Sequence, residues 1–273
     1  MSNKKEIVAA PSSEALTNLA NSYPAERGYD KILLPRLSFV SQDKLEGEGR
    51  DKKVTIIAGT FFTEHETEEK SAEDRVVWDK KEIGQELQAT ILYSRKQLKF
   101  YDESTESYTS SPIYDEDNEV IPLFCGGVKI VETTPVELKK RYEYRDEDGK
   151  IKTKLEDNKI LYVLYEGEIY QLNLRGSSMY SFKNFARKTT LIPAQLTKFN
   201  SENREKGKIQ WNAMTFEKVR DLNSEEVADV QKRVDIIKGA IASEKAYYAR
   251  EKKVEEAEIV YPTEQIEASN ILF

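Results

Sequence analysis

The chain has very little of the chemistry on which most enzyme active sites depend. Among its 273 residues there is one cysteine, Cys125, and one histidine, His65. A single cysteine cannot form an internal disulfide, and this pair cannot supply the ligands of an ordinary zinc site. A Ser-His-Asp or Cys-His group would need His65, which lies in the acidic run HETEEKSAED, a pattern typical of a solvated loop. No catalytic residue is therefore expected.

Several sequence signals of other protein classes are also missing. No run of eighteen apolar residues could span a membrane, and the start MSNKKEIVAAPSSEAL lacks the apolar core of a secretory signal. Neither GxxxxGK[ST] nor GxGxxG occurs, which argues against an ordinary nucleotide-binding enzyme. These absences predict a soluble, cytoplasmic protein that binds a partner rather than an enzyme, with no cofactor, no metal and no membrane association.

Strand-like patterns dominate the middle of the chain. They are clearest in residues 54–62, 86–102, 159–174 and 208–219, which are rich in β-branched and aromatic residues. The pairs Asp148-Gly149 and Glu166-Gly167 predict hairpin turns, whereas the polar residues 65–74 and 103–119 predict loops and residues 193–207 a less regular stretch. The fold class predicted is mainly β (α+β).

Two helices follow these strands. Residues 177–188 have helical spacing, with Ser177 or Ser178 as the expected N-cap. The second helix spans residues 223–253 and begins at Asn223 or Ser224. Its apolar residues recur every three or four positions, so it packs on its own domain or, in a homo-oligomer, on a second copy. The members of this apolar face are Val227, Val230, Val234, Ile237, Ile241 and Tyr248.

The charge is distributed unevenly along the chain. The net charge is −7, but residues 169–220 contain ten Lys or Arg against three Asp or Glu. Residues 254–273 contain five Glu and no basic residue. Because phosphate groups respond to local patches rather than to the total charge, the basic segment is a candidate nucleic-acid site.

Aromatic residues are interleaved with this basic segment. Cationic side chains that follow phosphates, together with rings that stack on bases, are the chemistry of single-strand binding. The expected ligand is therefore single-stranded DNA. A structural alternative also stands, in which the phenylalanines belong to the core and the cations are solvated. The predicted nucleic-acid-binding residues are Arg175, Tyr180, Lys183, Arg187, Lys188, Lys198, Lys208 and Trp211.

The C-terminal segment is a second candidate site. It is acidic, and it ends in the apolar residues Ile271, Leu272 and Phe273. An acidic arm can compete with DNA for a cationic groove, and its apolar tip can then enter a partner's pocket. The alternative is a frayed terminus that docks on the body. The predicted partner-binding residues are Glu255, Glu256, Glu258, Ile271, Leu272 and Phe273.

This arrangement resembles the single-stranded DNA-binding proteins of bacteria and tailed phages. Those proteins join an OB-type barrel to an acidic tail with a terminal phenylalanine, here the Glu255-to-Glu267 series and Phe273. The resemblance also covers LYVLYEGEIYQLNLRGSSMYSFKNF and implies an OB-like barrel with insertions. It implies non-specific coating of single strands in replication or recombination, with partner proteins recruited through the tail. For a phage protein the compartment is the host cytoplasm. The ending SNILF differs from the Asp-rich bacterial tails, which carry a proline before the phenylalanine.

The resulting domain prediction has four parts: a flexible arm (1–30), an OB-like DNA-binding domain (31–222), a helix (223–253) and an acidic tail (254–273). Two other functions stay open. One is a structural or adaptor protein, such as a phage assembly component or a recombination mediator. The other is a metal-dependent nuclease that uses the Glu-x-Lys spacing of Glu137 and Lys139, with Glu132 or Asp115 as a further ligand.

Overall fold

The structure, a computed structural model, describes residues 34–46, 53–70, 76–102, 107–126 and 128–258. The chain divides into two compact units, one of residues 33–234 and the other of residues 1–32 with 235–273. The predicted arm at residues 1–30 lies outside the described residues. Within the described ranges, no helix combines the length and the apolar character needed to cross a membrane.

The described residues are mostly in strands, as the sequence predicts, so the mainly β prediction is confirmed. The strands are β1 Arg36–Phe39, β2 Lys44–Glu46, β3 Lys53–Ile56, β4 Phe61–Lys70, β5 Val76–Gly84, β6 Leu87–Asp102, β7 Ser107–Ser110, β8 Ile121–Cys125, β9 Val128–Thr133, β10 Glu143–Arg145, β11 Ile151–Thr153, β12 Glu156–Tyr165, β13 Glu168–Leu174, β14 Gln195–Lys206 and β15 Ile209–Asp221. The helices are α1 Pro135–Arg141, α2 Gly176–Lys188 and α3 Ser224–Glu258, with a 3₁₀ turn at Ile192–Ala194.

One large sheet organises the unit of residues 33–234. Its strand order is β5-β4-β1-β13-β12-β6-β7-β8-β9, and β14 joins it by pairing with the start of β6 and with β15. The pair β1 and β13 is parallel, with Leu37 opposite Leu172. The described strands of this sheet do not close into a barrel.

The main core lies between this sheet and α2. Leu161 and Val163 of β12 and Leu172 of β13 are buried against Phe182 and Phe185 of α2. The ring of Phe216 on β15 lies 5.4 Å from that of Phe182 and 5.9 Å from that of Phe185, so α2 packs on β15 as well as on β12.

A second, smaller core forms where β6 and β8 meet α1. Leu98, Leu123 and Leu138 in this cluster are fully buried. The sequence prediction missed α1. The signal was present, because the hydroxyl of Thr134 accepts a hydrogen bond from the amide of Glu137 and Pro135 occupies the first turn.

Three predicted irregular segments contain strands, so these predictions are wrong. Strand β4 continues from Phe61 to Lys70 through the acidic run, β7 lies within the predicted loop at 103–119, and β14 occupies most of 193–207. All three strands are rich in polar residues. Pairing with neighbouring strands, rather than an apolar alternation, holds them in the sheet.

The predicted N-terminus of α3 is confirmed at Asn223. Its Oδ1 accepts hydrogen bonds from the amides of Glu225 and Glu226, each 3.0 Å long, and the Glu226 carboxylate accepts one of 2.8 Å from the Asn223 amide. This reciprocal pattern is a capping box. On the predicted apolar face Val230 and Val234 are buried, but Val227 is 40% exposed. The helix ends at Glu258 rather than at the predicted Lys253.

The capping box gives a prediction for acid pH. The Arg220 guanidinium, 2.6 Å from Glu226, and the Asn223 amide lower the pKa of Glu226 from 4.5 to about 2. Because the folded pKa lies below the unfolded one, this contribution to stability is present above about pH 4.3 and disappears as the pH falls towards 2. We expect an NMR titration to place the Glu226 carboxyl near 2. On acidification the Glu226→Gln variant should lose less unfolding free energy than the wild type, because it lacks this carboxyl group. A carboxyl that titrates near 4.3 would contradict the cap.

Candidate nucleic-acid interface

Serine hydroxyls fix α2 on the β14–β15 hairpin. The indole Nε1 of Trp211 donates to Ser177 at 2.9 Å, the amide of Met214 donates to Ser178 at 2.9 Å, and Arg204 donates to Ser181 at 3.1 Å. The sequence predicted Ser177 or Ser178 as the N-cap of α2, and this prediction is wrong. Arg175 occupies that position and makes no side-chain capping bond. The serines bind the neighbouring strands instead.

One side of α2 is exposed, and we call it the basic face: Tyr180, Lys183, Arg187 and Lys188. These residues follow one another at spacings of three, four and one, so they lie on the side of the helix away from the buried Phe182. Tyr180 is 67% exposed. No acidic residue occurs anywhere in α2.

The cations of the basic face are not neutralised. Among the described residues, Lys183, Arg187 and Lys188 make no ion pair or hydrogen bond through their side chains. Elsewhere many cations are paired: Lys80 with Glu64, Lys96 with Asp117, Lys139 with Asp157, Lys140 with Glu137, Lys152 with Asp146, Lys218 with Asp221, Arg220 with Glu226 and Arg233 with Asp229. The basic face is therefore a region of unbalanced positive charge on a chain with a net negative charge.

A further cation, Lys159, extends this positive region, and the sequence prediction did not include it. It lies on β12, opposite Lys96 in β6. Burial lowers the pKa of Lys159, and the neighbouring charges of Lys96 and Lys183 lower it further. Lys159 has no ion-pair partner among the described residues, and the carboxylates of Asp117 and Asp157 offset part of the repulsion from the two lysines.

The other predicted residues have different surroundings. Arg175 is exposed at the start of α2, and Lys208 is exposed in the β14–β15 turn. Lys198 pairs with Glu86 at 2.5 Å, and Trp211 is partly buried with its indole N–H bonded to Ser177. The structure thus brings Tyr180, Lys183, Arg187 and Lys188 together on one surface. It assigns Lys198 and Trp211 internal contacts.

The predicted partner-binding residues lie near or beyond residue 258, the last residue that the structure describes. Glu255, Glu256 and Glu258 belong to the last turns of α3. Ile271, Leu272 and Phe273 lie outside the described residues. Their role stays a prediction.

The sequence predicted a loop at His65, but this residue lies in strand β4. Its Nε2 lies 3.3 Å from the hydroxyl of Tyr170, which donates to Glu168 at 2.9 Å. Burial raises the pKa of Tyr170 above its usual value, and the Glu168 carboxylate raises it further. The three side chains form a small polar cluster between β4 and β13.

The carboxylates considered for a nuclease each contact a cation. Glu137 pairs with Lys140 at 2.8 Å, Glu132 with Lys129 at 4.0 Å and Asp115 with the buried Arg95 at 3.0 Å. Lys139, the lysine of the Glu-x-Lys pattern, pairs with Asp157 at 2.6 Å. Over the described part of the chain, no three His, Cys, Asp or Glu side chains group closely enough to hold a metal ion.

Comparisons of this chain with protein-family models, with curated proteins and with solved structures find no match.

Proposed function

We propose that this chain binds single-stranded DNA through the basic face of α2, with no catalytic step of its own. The observation that supports it is the set of unpaired cations at Lys183, Arg187 and Lys188 beside the exposed ring of Tyr180. Cations in this arrangement can follow successive phosphates, and a ring at the same surface can stack on a base.

The same surface favours a single strand over a duplex. A duplex keeps its bases stacked on one another, so an exposed ring such as Tyr180 gains nothing from them. A single strand offers both its phosphates and its base faces, and each base–ring stack contributes roughly 1–3 kcal/mol.

The wider role follows from the sequence resemblance and is part of the proposal. The protein would coat single strands during replication or recombination in the cytoplasm, a host's cytoplasm if a phage encodes it. The acidic tail and Phe273 would recruit partner proteins. We also propose that the strands follow the arrangement of an OB-type barrel. The β12–β13 hairpin beside the parallel strand β1 is consistent with it, whereas the described sheet is open.

The proposal predicts tight, salt-sensitive binding of a labelled single strand, measured by fluorescence anisotropy against a matched duplex. A full-length variant with Glu255, Glu256, Glu258, Glu264 and Glu267 changed to Gln should bind several-fold more tightly if the tail competes with DNA. Equal binding of single strand and duplex at low salt would contradict single-strand recognition. Unchanged affinity in the glutamine variant would contradict only the competition between the tail and DNA.

An adaptor function is the second candidate, and one feature of the sheet favours it. Strand β9 ends the described strand order, and Val128 and Ile130 on it are 67% and 47% exposed. An end strand with exposed apolar residues can pair with an extended segment of another protein. A pull-down that depends on these two residues and not on α2 would favour this function.

A further inference from the structure

A polar cleft of about 880 Å³ lies beside the β14–β15 hairpin, within the unit of residues 33–234. The β1–β2, β3–β4 and β5–β6 connections form its other walls. It is distinguished by carboxamides, which are contributed by Gln42, Gln85, Asn200, Asn203, Gln210 and Asn212. Two of these connections and both strands of the hairpin therefore place the same functional group around one opening.

Backbone contacts build this cleft tightly. The amide of Asn212 donates to the carbonyl of Ser41 at 2.7 Å, and the amide of Gly59 donates to Val40 at 2.7 Å. Gly59 has a φ of +90°, and a Cβ there would overlap the Ser201 side chain and lie 2.8 Å from Asn212 Nδ2. Only glycine fits this position, so the β3–β4 turn can approach the hairpin closely.

Most of the carboxamides have unused hydrogen-bonding groups. The side chains of Asn200, Asn203, Gln210 and Asn212 make no hydrogen bond to any described residue. Asn203 and Asn212 are direct neighbours across the two strands. A carboxamide presents a donor and an acceptor side by side, which matches the edge of a nucleobase such as adenine.

The charges of the cleft argue against a phosphate as its ligand. No lysine or arginine lines it. Of its two carboxylates, Asp43 accepts from the amide of Ala58 at 2.7 Å and Glu86 pairs with Lys198. The cleft therefore suits a neutral group with both donors and acceptors. Trp211 also lines it, and Ser177 of α2 holds its indole N–H, so this residue joins the cleft to the helix that carries the basic face.

We infer that the cleft binds unpaired nucleobases by their edges, with adenine the best match, while the basic face binds the phosphates of the same strand. This inference rests on the proposed single-strand function and changes its character. A protein that contacts base edges discriminates between sequences, whereas one that contacts only the backbone and ring faces does not. The protein should therefore show a base preference rather than coat all strands equally.

The test compares oligo-dA, oligo-dT and an abasic strand of the same length by fluorescence anisotropy, using the full chain. We expect the order dA, dT, abasic, with dA bound about tenfold more tightly than dT, as two or three hydrogen bonds would give, while the abasic strand also loses the stack on Tyr180. The Asn203→Ala/Asn212→Ala variant should lose most of this tenfold difference and bind the abasic strand as the wild type does. Gln210→Ala, at an exposed position, should give a smaller loss in the same direction. It serves as a control in the event that the double variant misfolds.

The outcomes separate the two proposals. If the wild type binds dA and dT equally, or if the cleft variants weaken the abasic strand as much as dA, the base-edge inference is wrong and the single-strand function survives. If the wild type binds none of the strands, both are wrong. A Lys183→Ala/Arg187→Ala variant serves as the reference for loss of phosphate contacts, because it should weaken all three strands by the same factor.

Discussion

Replacing Lys183, Arg187 and Lys188 together by alanine should weaken single-stranded DNA binding by roughly 100-fold at 0.1 M salt. Each phosphate contact on a single strand releases about 0.7 of a counterion, so three lost contacts lower the slope of log affinity against log salt by about 2. The three side chains have no ion pairs among the described residues, so their removal leaves no unpaired carboxylate behind there. Anisotropy over a salt series measures both quantities.

A second triple variant controls for net charge. Lys140, Lys150 and Lys152 are exposed and paired with Glu137, Asp148 and Asp146. Their replacement by alanine removes the same number of positive charges from other parts of the surface, and we expect less than about a threefold change, since distant exposed charges are screened at this salt. If the two triple variants lose affinity equally, overall charge rather than the basic face governs binding.

Replacing Asp115 by alanine should lower the free energy of unfolding by about 3–5 kcal/mol. Its carboxylate contacts Arg95 Nε at 3.0 Å, and the Arg95 side chain is only 1% exposed. Arg95 also donates to the carbonyl of Ile113 at 2.8 Å, which fixes the guanidinium in the interior. Without Asp115 the buried guanidinium loses this carboxylate, a larger cost than the net gain from forming such a pair.

Asp117 in the same turn is a matched control for Asp115. It pairs with Lys96 at 2.8 Å but is 57% exposed, so Asp117→Ala should cost less than about 1 kcal/mol. Urea unfolding followed by tryptophan fluorescence suits both variants, because Trp78 and Trp211 lie in the same compact unit. We expect a lower midpoint at an unchanged slope for Asp115→Ala. Equal losses in the two variants would mean that Arg95 reaches water.

Local signals predicted the parts of the fold that depend on neighbouring residues. The turns at Asp148-Gly149 and Glu166-Gly167 connect hairpins, and Asn223 begins α3, because each feature is decided by a few adjacent backbone groups. The parallel pairing of β1 with β13 has no such signal. It joins residues that are far apart in the sequence, and Leu37 looks like any other apolar residue until Leu172 is beside it.

The candidate site was predicted in part for the same reason. The basic residues of α2 are close together in the sequence, so the excess of positive charge along residues 169–220 was enough to find them. The sequence prediction missed Lys159, because this residue lies on β12 and comes near α2 only in the folded sheet. The polar strand β14 lacks an apolar alternation in its second half, where Asn203 faces the cleft. The carboxamides come from four segments, and no spacing in the sequence links them.

The position of β1 has a consequence for how the chain is made. This strand lies between β4 and β13, so Leu37 finds its place in the core only when residues 168–174 are available to pair with it. During synthesis the ribosome must translate more than a hundred further residues before that happens. Until then the apolar side of β1 and the edge of β4 have no permanent cover, which is the condition in which nascent chains recruit chaperones or aggregate. Slow translation upstream of residue 174 should therefore lower the yield of folded protein more than slow translation after it.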